Sequence, residues 1–406
     1  MRRGISVFFV LFGLTILTGC WDHNELEEVA LVMGMGIDKT EDDLYKVSFQ
    51  IVNPGQVTGG QMTGDTGEGT SVTTYTETGK NIFETTRKIS TQVPRNLSFS
   101  HMVVLVLGEE LAREESLFEV MDFTERYYGF RPTALVLLAR ESQANSILSI
   151  LNPMERIPAM KIEETSQKTT EVWGETPSRN IKDVVQTLSS DTKSLSLSGV
   201  SLVGNMNEGQ KEDKNKEAVP ESYVELSGVG MFKEGKLQGW LDDKEARGMA
   251  WVQDEIKRTV LTFKCDENEE YIAAEVRYST TKLSASIHDG KPEITVDIRG
   301  EGPIEEAACP MDLTDPEIIY QLNEDFGSEI EQEVIQAVKI AQEQEIDLFG
   351  FGETVNQSHP EEWKSMRENW DETFSEMDVN VNTKFFIRKT GLRTKPLILQ
   401  KSNNEN

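Results

Sequence analysis

Two short, continuous apolar runs, HMVVLVL at 101–107 and PTALVLLA at 132–139, constrain the fold of this chain more than any other feature. Runs of this length without polar alternation are typical of strands buried on both faces of a sheet. A segment predicted as one amphipathic helix at 109–127 separates them, and another at 78–90 precedes them. Because strands alternate with helices, we predict an α+β (mixed α/β) fold for an N-terminal domain over residues 20–160.

Two hairpins frame these elements. Segments 30–39 and 45–52 predict the first, and segment 223–240 predicts the second, around a turn that contains Gly235. Between them, residues 161–179 are polar and predict a connection, and 181–189 predicts a short helix. The second hairpin either closes a middle domain at 161–260 or returns to pair with the first domain, so the middle domain may share strands with it.

The last third, residues 261–406, predicts a C-terminal α+β domain. Segments 271–278, 282–287 and 293–300 alternate like a meander, and a long helix that follows Pro316 carries one apolar stripe. Gly350 and Gly352 are predicted to end that helix. Trp363 and Trp370 share a face of a shorter helix, which favours core packing over an aromatic ligand platform. Residues 379–387 predict a closing strand.

The charge of the chain excludes some functions. Its 406 residues carry a formal net charge of −29. A body this acidic repels a phosphate backbone, so we expect no nucleic-acid partner. An anionic membrane surface repels it too, so membrane association requires an anchor.

The N-terminus predicts such an anchor. Arg2 and Arg3 precede a 13-residue apolar stretch at 5–17, which is too short to span a membrane and indicates a signal peptide at 1–19. It ends in Leu-Thr-Gly-Cys, the pattern of a bacterial lipobox, in which the cysteine receives a diacylglycerol and becomes the mature N-terminus. We therefore predict lipidation of Cys20; the alternative is an ordinary secretory cleavage site beside a cysteine.

The other cysteines are Cys265 and Cys309. Export permits a disulfide between them. Two buried free thiols are favoured, because a chain of this length needs no covalent staple. Neither cysteine has a CxxC partner and the four histidines are scattered, so we expect no metal site and no cofactor.

Motifs for catalysis are nearly absent. There is no GxSxG, HExxH or Walker loop. Ser190 and Lys193 fit S-x-x-K, and 389–391 reads K-T-G, as in serine acyl-transferases of the penicillin-binding type. No S-x-N lies between them, and Ser190 stands in a segment, LSSDTKSLSLSG, that predicts a polar loop. We expect no catalytic residue and no enzyme activity.

The segment GCWDHNELEEVALVMGMGIDK resembles the start of the C subunits of spore germinant receptors, the Ger(x)C lipoproteins. The matching positions are Cys20, Trp21, Asp22, Glu25, Gly36 and Asp38. The resemblance continues through GVGMFKEGKLQGWLDDKEARGMAWV and DLFGFGETVNQSHPEEW, and covers nearly the whole chain.

This resemblance implies three domains, each a β-sheet flanked by α-helices, anchored outside the cytoplasm on the spore inner membrane. It implies A-type and B-type membrane subunits as partners, and a receptor that answers small nutrients. Of the functional residues, only Cys20 transfers; Asp38 (for its turn), Gly228, Gly230, Gly350 and Gly352 transfer as fold determinants. Rival hypotheses are a solute-binding lipoprotein and an acyl-transferase with Ser190 as nucleophile.

Overall fold

The structure is a computed structural model that describes residues 28–57, 69–127, 129–211, 218–264, 270–309 and 311–389. Its described strands form a nine-stranded and a five-stranded sheet. The α+β class predicted from the sequence is confirmed. The division into three domains stays a prediction.

The first sheet has a parallel centre and antiparallel flanks. Its strands are β1 (Val29–Lys39), β2 (Tyr45–Val52), β3 (Val72–Gly79), β4 (Asn96–Ser98), β5 (Val104–Gly108), β6 (Leu135–Ala139), β7 (Ser196–Gly204), β8 (Ser222–Lys233) and β9 (Lys236–Leu241). They lie in the order β3-β2-β1-β5-β6-β7-β8-β9, and β4 pairs with the start of β1. The sheet therefore crosses residue 160, because β7–β9 continue the sheet that β1–β6 begin.

Helices cover both faces of this sheet. They are α1 (Pro54–Val57), α2 (Ile82–Lys88), α3 (Glu109–Glu114), α4 (Leu117–Arg126), α5 (Ala144–Ser149), α6 (Pro158–Val172), α7 (Ile181–Leu188) and α8 (Met206–Gly209). The cluster on one face contains α2, α3, α4 and α7, and the cluster on the other contains α5 and α6. This two-sided burial is why β5 and β6 are continuous apolar runs.

The second sheet consists of β10 (Thr259–Lys264), β11 (Tyr271–Val276), β12 (Tyr278–His288), β13 (Lys291–Ala307) and β14 (Asp378–Lys389). β13 pairs with β11 and β12 in antiparallel fashion and with β14 in parallel. Its helices are α9 (Asp243–Val252), α10 (Pro316–Glu343), α11 (Phe351–Ser358), α12 (Pro360–Met366) and α13 (Trp370–Glu376). The helix α10 supplies the apolar stripe of the core, including the buried Phe326, Ile330 and Val334.

Several predicted elements are wrong in detail. The helix predicted at 109–127 is two helices, since Glu115 and Ser116 have extended backbone between α3 and α4. The polar connection predicted at 161–179 is largely α6, whose inward face includes Ile162 and the small Ser166. The predicted polar loop around Ser190 leads directly into β7, where Ser198 donates to the carbonyl oxygen of Pro177 at 2.6 Å.

Cys309 is buried and disulfide-bonded, so the free thiol favoured at this position is wrong. The other two cysteines, Cys20 and Cys265, lie outside the described residues. Within the described ranges, no helix is both long and apolar enough to cross a membrane.

Candidate functional site: the cavity at the junction of the two sheets

Hydrogen bonds connect the loop before β7 and the side chain of Arg179 to the C-terminal half of the chain. The N–H of Ser194, which precedes β7, donates to the carbonyl oxygen of Asp347 at 2.7 Å. The amide of Gln253 donates to the carbonyl oxygen of Leu348 at 2.6 Å. Arg179 binds Glu255 and the Gln253 side-chain oxygen, each at 2.7 Å. The segment at 346–352 is thereby fixed against the loop before β7.

The carboxylate of Asp347 organises that segment. Its oxygens accept the backbone N–H groups of residues 349–352 at 2.8–3.2 Å and the indole N–H of Trp370 at 3.1 Å. These backbone donors include the first N–H groups of α11, which have no partner inside the helix. Burial raises the pKa of Asp347, and the N–H donors oppose that shift. Asp347 thus caps α11 from outside the helix.

The glycines of this segment correct a prediction. The long helix α10 ends at Glu343, before Gly350, so neither glycine ends it. Gly350 is instead the residue before α11, at φ = +78°, a left-handed conformation that favours glycine. Gly352 lies inside α11, where a Cβ would come within 2.9 Å of Trp363 and 3.0 Å of Trp370. The two tryptophan rings are buried and pack edge to face, so the predicted core packing is confirmed.

A cavity of about 270 Å³ opens where these parts meet. Its wall includes Asp183 of α7, Ser190 and Lys193 from the loop before β7, and Glu353 of α11. The ion pair of Arg179 and Glu255 also lines it.

Lys193 is the unusual member of this wall. Within the described part of the chain, its ammonium group has neither a hydrogen bond nor a carboxylate within 4.0 Å. Burial lowers the pKa of Lys193, as does the positive charge of Arg179, whereas Glu255, Asp347 and Glu353 oppose the shift. A Cβ at Gly350 would lie 3.5 Å from the Cδ of Lys193. The side chain of Lys193 therefore packs against the segment that Asp347 fixes.

The structure brings Ser190 and Lys193 to this one cavity, yet no hydrogen bond joins these two described residues. The hydroxyl of Ser190 bonds the Thr192 hydroxyl at 3.0 Å and accepts the Thr192 N–H at 3.2 Å. A serine nucleophile needs its base within hydrogen-bond reach, and this pair lacks that geometry. Lys389 ends β14 in the other sheet, and residues 390–391 lie outside the described residues.

Cys20, Trp21, Asp22 and Glu25 also lie outside the described residues, so lipidation of Cys20 stays a prediction. Asp38 corrects an expectation. Its carboxylate is buried and accepts the N–H groups of Ala144 and Asn145, at 2.8 and 3.2 Å, where α5 begins. It therefore fixes a helix some hundred residues away and not its own turn.

Gly228 and Gly230 lie in β8, as predicted. Gly228 has φ = +68°, and a Cβ there would come within 2.7 Å of the side chains of Arg140 and Asp242. These two side chains form an ion pair, and the guanidinium of Arg140 lies 4.7 Å from the centre of the Trp240 ring. Gly228 leaves room for this contact beside the sheet.

Sequence reasoning missed three buried charged residues: Asp347, and Arg247 with Glu333, which form an ion pair. The usable signal is local: Asp347 precedes two glycines in DLFGFGE, and Arg247 precedes Gly248 in EARGMAWV. Among the described residues, no group of three or more His, Cys, Asp or Glu side chains is placed to hold a metal ion.

The two-sheet architecture has a counterpart among solved structures. The crystal structure of the GerBC protein superposes with a TM-score of 0.54 at 22% identity, covering 87% of this chain and 97% of that one. A family model described as "Spore germination protein N-terminal domain" matches residues 22–202. One described as "Spore germination B3/ GerAC like, C-terminal" matches residues 227–391.

The sequence relatives agree with this class. Spore germination protein KC of Bacillus subtilis is 33% identical over 98% of both chains. Spore germination protein B3 of the same organism is 27% identical, over 96% of this chain and 99% of that one. The chain belongs to the GerAC-like family of spore germination proteins, which the sequence resemblance predicted.

Proposed function

We propose that this protein is a lipid-anchored, non-enzymatic subunit of a nutrient germinant receptor, held on the outer side of the spore inner membrane and needed for germination. The observation that carries the proposal is the similarity to spore germination protein KC over 98% of both chains. The lipobox that ends at Cys20 adds the mode of attachment.

The anchor has a simple physical basis. A single acyl chain gives marginal, reversible membrane binding, and two or more hold a protein stably. An S-diacylglycerol and an N-acyl chain such as palmitate on Cys20 would supply three. From Cys20 to Glu28, the first described residue, there are eight residues, which reach at most about 28 Å when extended. The body would therefore lie close to the lipid surface. The anchor would hold it there, because a body with a net charge of −29 is not attracted to an anionic membrane.

The role of the body follows from its position. An A-type and a B-type membrane subunit would be its partners, and the two-sheet body would hold or relay the change that a nutrient causes in them. The S-x-x-K pair lacks the contact between serine and base, which supports a role without catalysis.

The experiment is a Cys20→Ala substitution in the full chain, expressed in the spore. We expect the variant to lose membrane retention and to impair nutrient-triggered germination while the body stays folded. Thr18→Ala is the matched control, because a small residue at this lipobox position preserves processing, so retention and germination should be normal. Normal membrane retention and normal germination of the Cys20→Ala spores would refute the proposed anchor.

A further inference from the structure

The cavity at the junction is built by both halves of the chain. Arg179, Asp183 and Lys193 come from the segment that carries α7 and leads to β7, and Glu255 and Glu353 come from beyond the first sheet. A molecule bound here contacts both halves at once. This inference concerns the folded body and does not depend on the lipid anchor.

Most charges in the wall already have a partner. Glu255 binds Arg179 at 2.7 Å, and the Asp183 carboxylate accepts the N–H of Asn180 at 3.0 Å. Glu353 is exposed and accepts the side-chain amide of Gln357 at 3.1 Å. Lys193 is the exception among these five charged residues, because no oxygen of the described residues lies within hydrogen-bond or ion-pair distance of its ammonium group.

An ammonium group that is withdrawn from water without a counter-charge is unfavourable. The carboxylates of Glu255, Asp347 and Glu353 lie near enough to Lys193 to act on it electrostatically, but none of these three lies within 4.0 Å of its ammonium group. The group lines a water-accessible cavity, so an anion that enters the cavity meets an ammonium that is already partly desolvated. A charge-assisted hydrogen bond made there is stronger than one made on the open surface.

The volume indicates the size of ligand that the cavity can enclose. The cavity has a volume of about 270 Å³ and is open to solvent. Pockets for drug-sized ligands start at about 300 Å³. A molecule of a few non-hydrogen atoms therefore fits inside the cavity.

The net charge of the wall limits the charge of the ligand. Two cations and three carboxylates line it, so a dianion is repelled and a single negative charge is tolerated beside Lys193. The carboxylates of Asp183 and Glu353 favour a ligand that carries an ammonium group as well. We propose that the Lys193 cavity binds a small monocarboxylate, preferentially a zwitterion whose carboxylate lies on Lys193 and whose ammonium lies on the acidic side of the wall.

The test measures binding to the full chain in detergent micelles by calorimetry and by the thermal midpoint, with glycine, acetate and phosphate as probes. We expect saturable binding of glycine, weaker binding of acetate and the weakest response to phosphate. In Lys193→Met the aliphatic part of the side chain is kept and an unpaired charge is removed, so the variant should fold and its glycine affinity should fall at least tenfold. Lys257→Met, at an exposed lysine outside the cavity wall, is the control and should bind like the wild type.

A second variant separates the two ends of the ligand. Glu353→Gln should weaken the binding of glycine and leave acetate unchanged. The proposal is overturned if neither glycine nor acetate binds saturably, if Lys193→Met binds glycine like the wild type, or if phosphate binds as well as glycine. All of these readouts are binding constants and not germination, so a failure here is distinguishable from a failure of the receptor-subunit proposal.

Discussion

Arg247 of α9 and Glu333 of α10 form a two-bonded ion pair that is buried between the two helices. The Nε of Arg247 donates to Oε2 of Glu333 at 2.9 Å, and Nη2 donates to Oε1. The indole N–H of Trp251 donates to the same carboxylate at 3.1 Å. The side chains of Arg247 and Glu333 are only 6% and 1% exposed, so each is the closest counter-charge of the other in the core. Without Glu333, the guanidinium of Arg247 keeps only the longer contact with Glu175 at 3.4 Å and the carbonyl oxygen of Val260 at 3.2 Å.

The first prediction concerns this pair. Glu333→Ala should lower the free energy of unfolding by about 3–5 kcal/mol, since it removes the closest counter-charge of the buried Arg247 guanidinium and the acceptor of the Trp251 N–H. Denaturant unfolding of the full chain in micelles measures the loss. Glu329→Ala is the matched control: it breaks the pair with Lys244, whose side chain is half exposed, and should cost about 1 kcal/mol or less. Equal losses in the two variants would contradict the assignment of a buried pair.

The second prediction concerns the close contact of α9 with α10. A Cβ at Gly248 would lie 2.1 Å from the carbonyl oxygen of Glu333, a backbone atom that cannot rotate away. Gly248→Ala should separate the helices and cost about 1–3 kcal/mol, measured as the shift of the unfolding midpoint. Gly55→Ala is the control, because no heavy atom of the described residues lies within 4 Å of its added Cβ. If Gly248→Ala proves as stable as the control, the described helix contact is wrong.

The third prediction concerns Asp347. Asp347→Asn replaces one acceptor oxygen by an NH₂ donor that would face N–H groups. Because Oδ1 accepts three of the five hydrogen bonds and Oδ2 accepts two, at least two are lost. Hydrogen bonds to a charged group contribute about 1.5–3 kcal/mol each, and we expect a loss of about 3 kcal/mol or more. Hydrogen exchange should show that residues 349–352 lose protection first. The control is Asp191→Asn in an exposed pair with Arg367, and an equal effect there would refute the capping role.

The fourth prediction is a pH dependence at Glu301. The hydrogen bond from Arg388, with Arg299 beside it, lowers the pKa of this carboxyl from 4.5 to about 2. Because the folded pKa is depressed, the contribution to stability is complete above the unfolded value and is lost as the pH falls from about 4.5 through about 2. Carboxyl NMR titration should give a value near 2 in the wild type and a higher one in Arg388→Gln. An ordinary value near 4.5 in the wild type would contradict the pairing.

The elements that the sequence predicts well are those whose burial is one-sided or complete. The runs that form β5 and β6 are apolar because helices cover both faces of the sheet, and α10 shows its stripe because only one side packs. In contrast, the buried face of α6 includes small or polar residues such as Ala159 and Ser166. The helix therefore shows no clear apolar stripe in the sequence, and the segment is predicted as a polar connection. The strand β7 is missed for the same reason. Its buried residues include polar ones such as Ser198, whose hydroxyl donates to a carbonyl oxygen.

The candidate site was less accessible to sequence reasoning. Ser190 and Lys193 fit the S-x-x-K pattern, but the cavity that they line also includes Glu353, which no sequence pattern connects to them. Asp347 caps α11 and reaches Trp370, 23 residues later, through contacts that only the fold creates. Every residue except proline has a backbone N–H group, so hydrogen bonds to these groups produce no recognisable residue pattern. In the sequence, a buried capping residue such as Asp347 therefore cannot be distinguished from an ordinary exposed acidic residue.

The central claim is that this chain works as a subunit of a membrane receptor. Its most direct test is quantitative affinity purification of the tagged full chain from detergent-solubilised spore inner membranes, followed by mass spectrometry. The account predicts recovery of an A-type and a B-type germinant receptor subunit in fixed proportion to this chain, and a mature chain that begins at an acylated Cys20. Recovery of the chain without either subunit, under conditions in which those subunits remain assembled with each other, would contradict it.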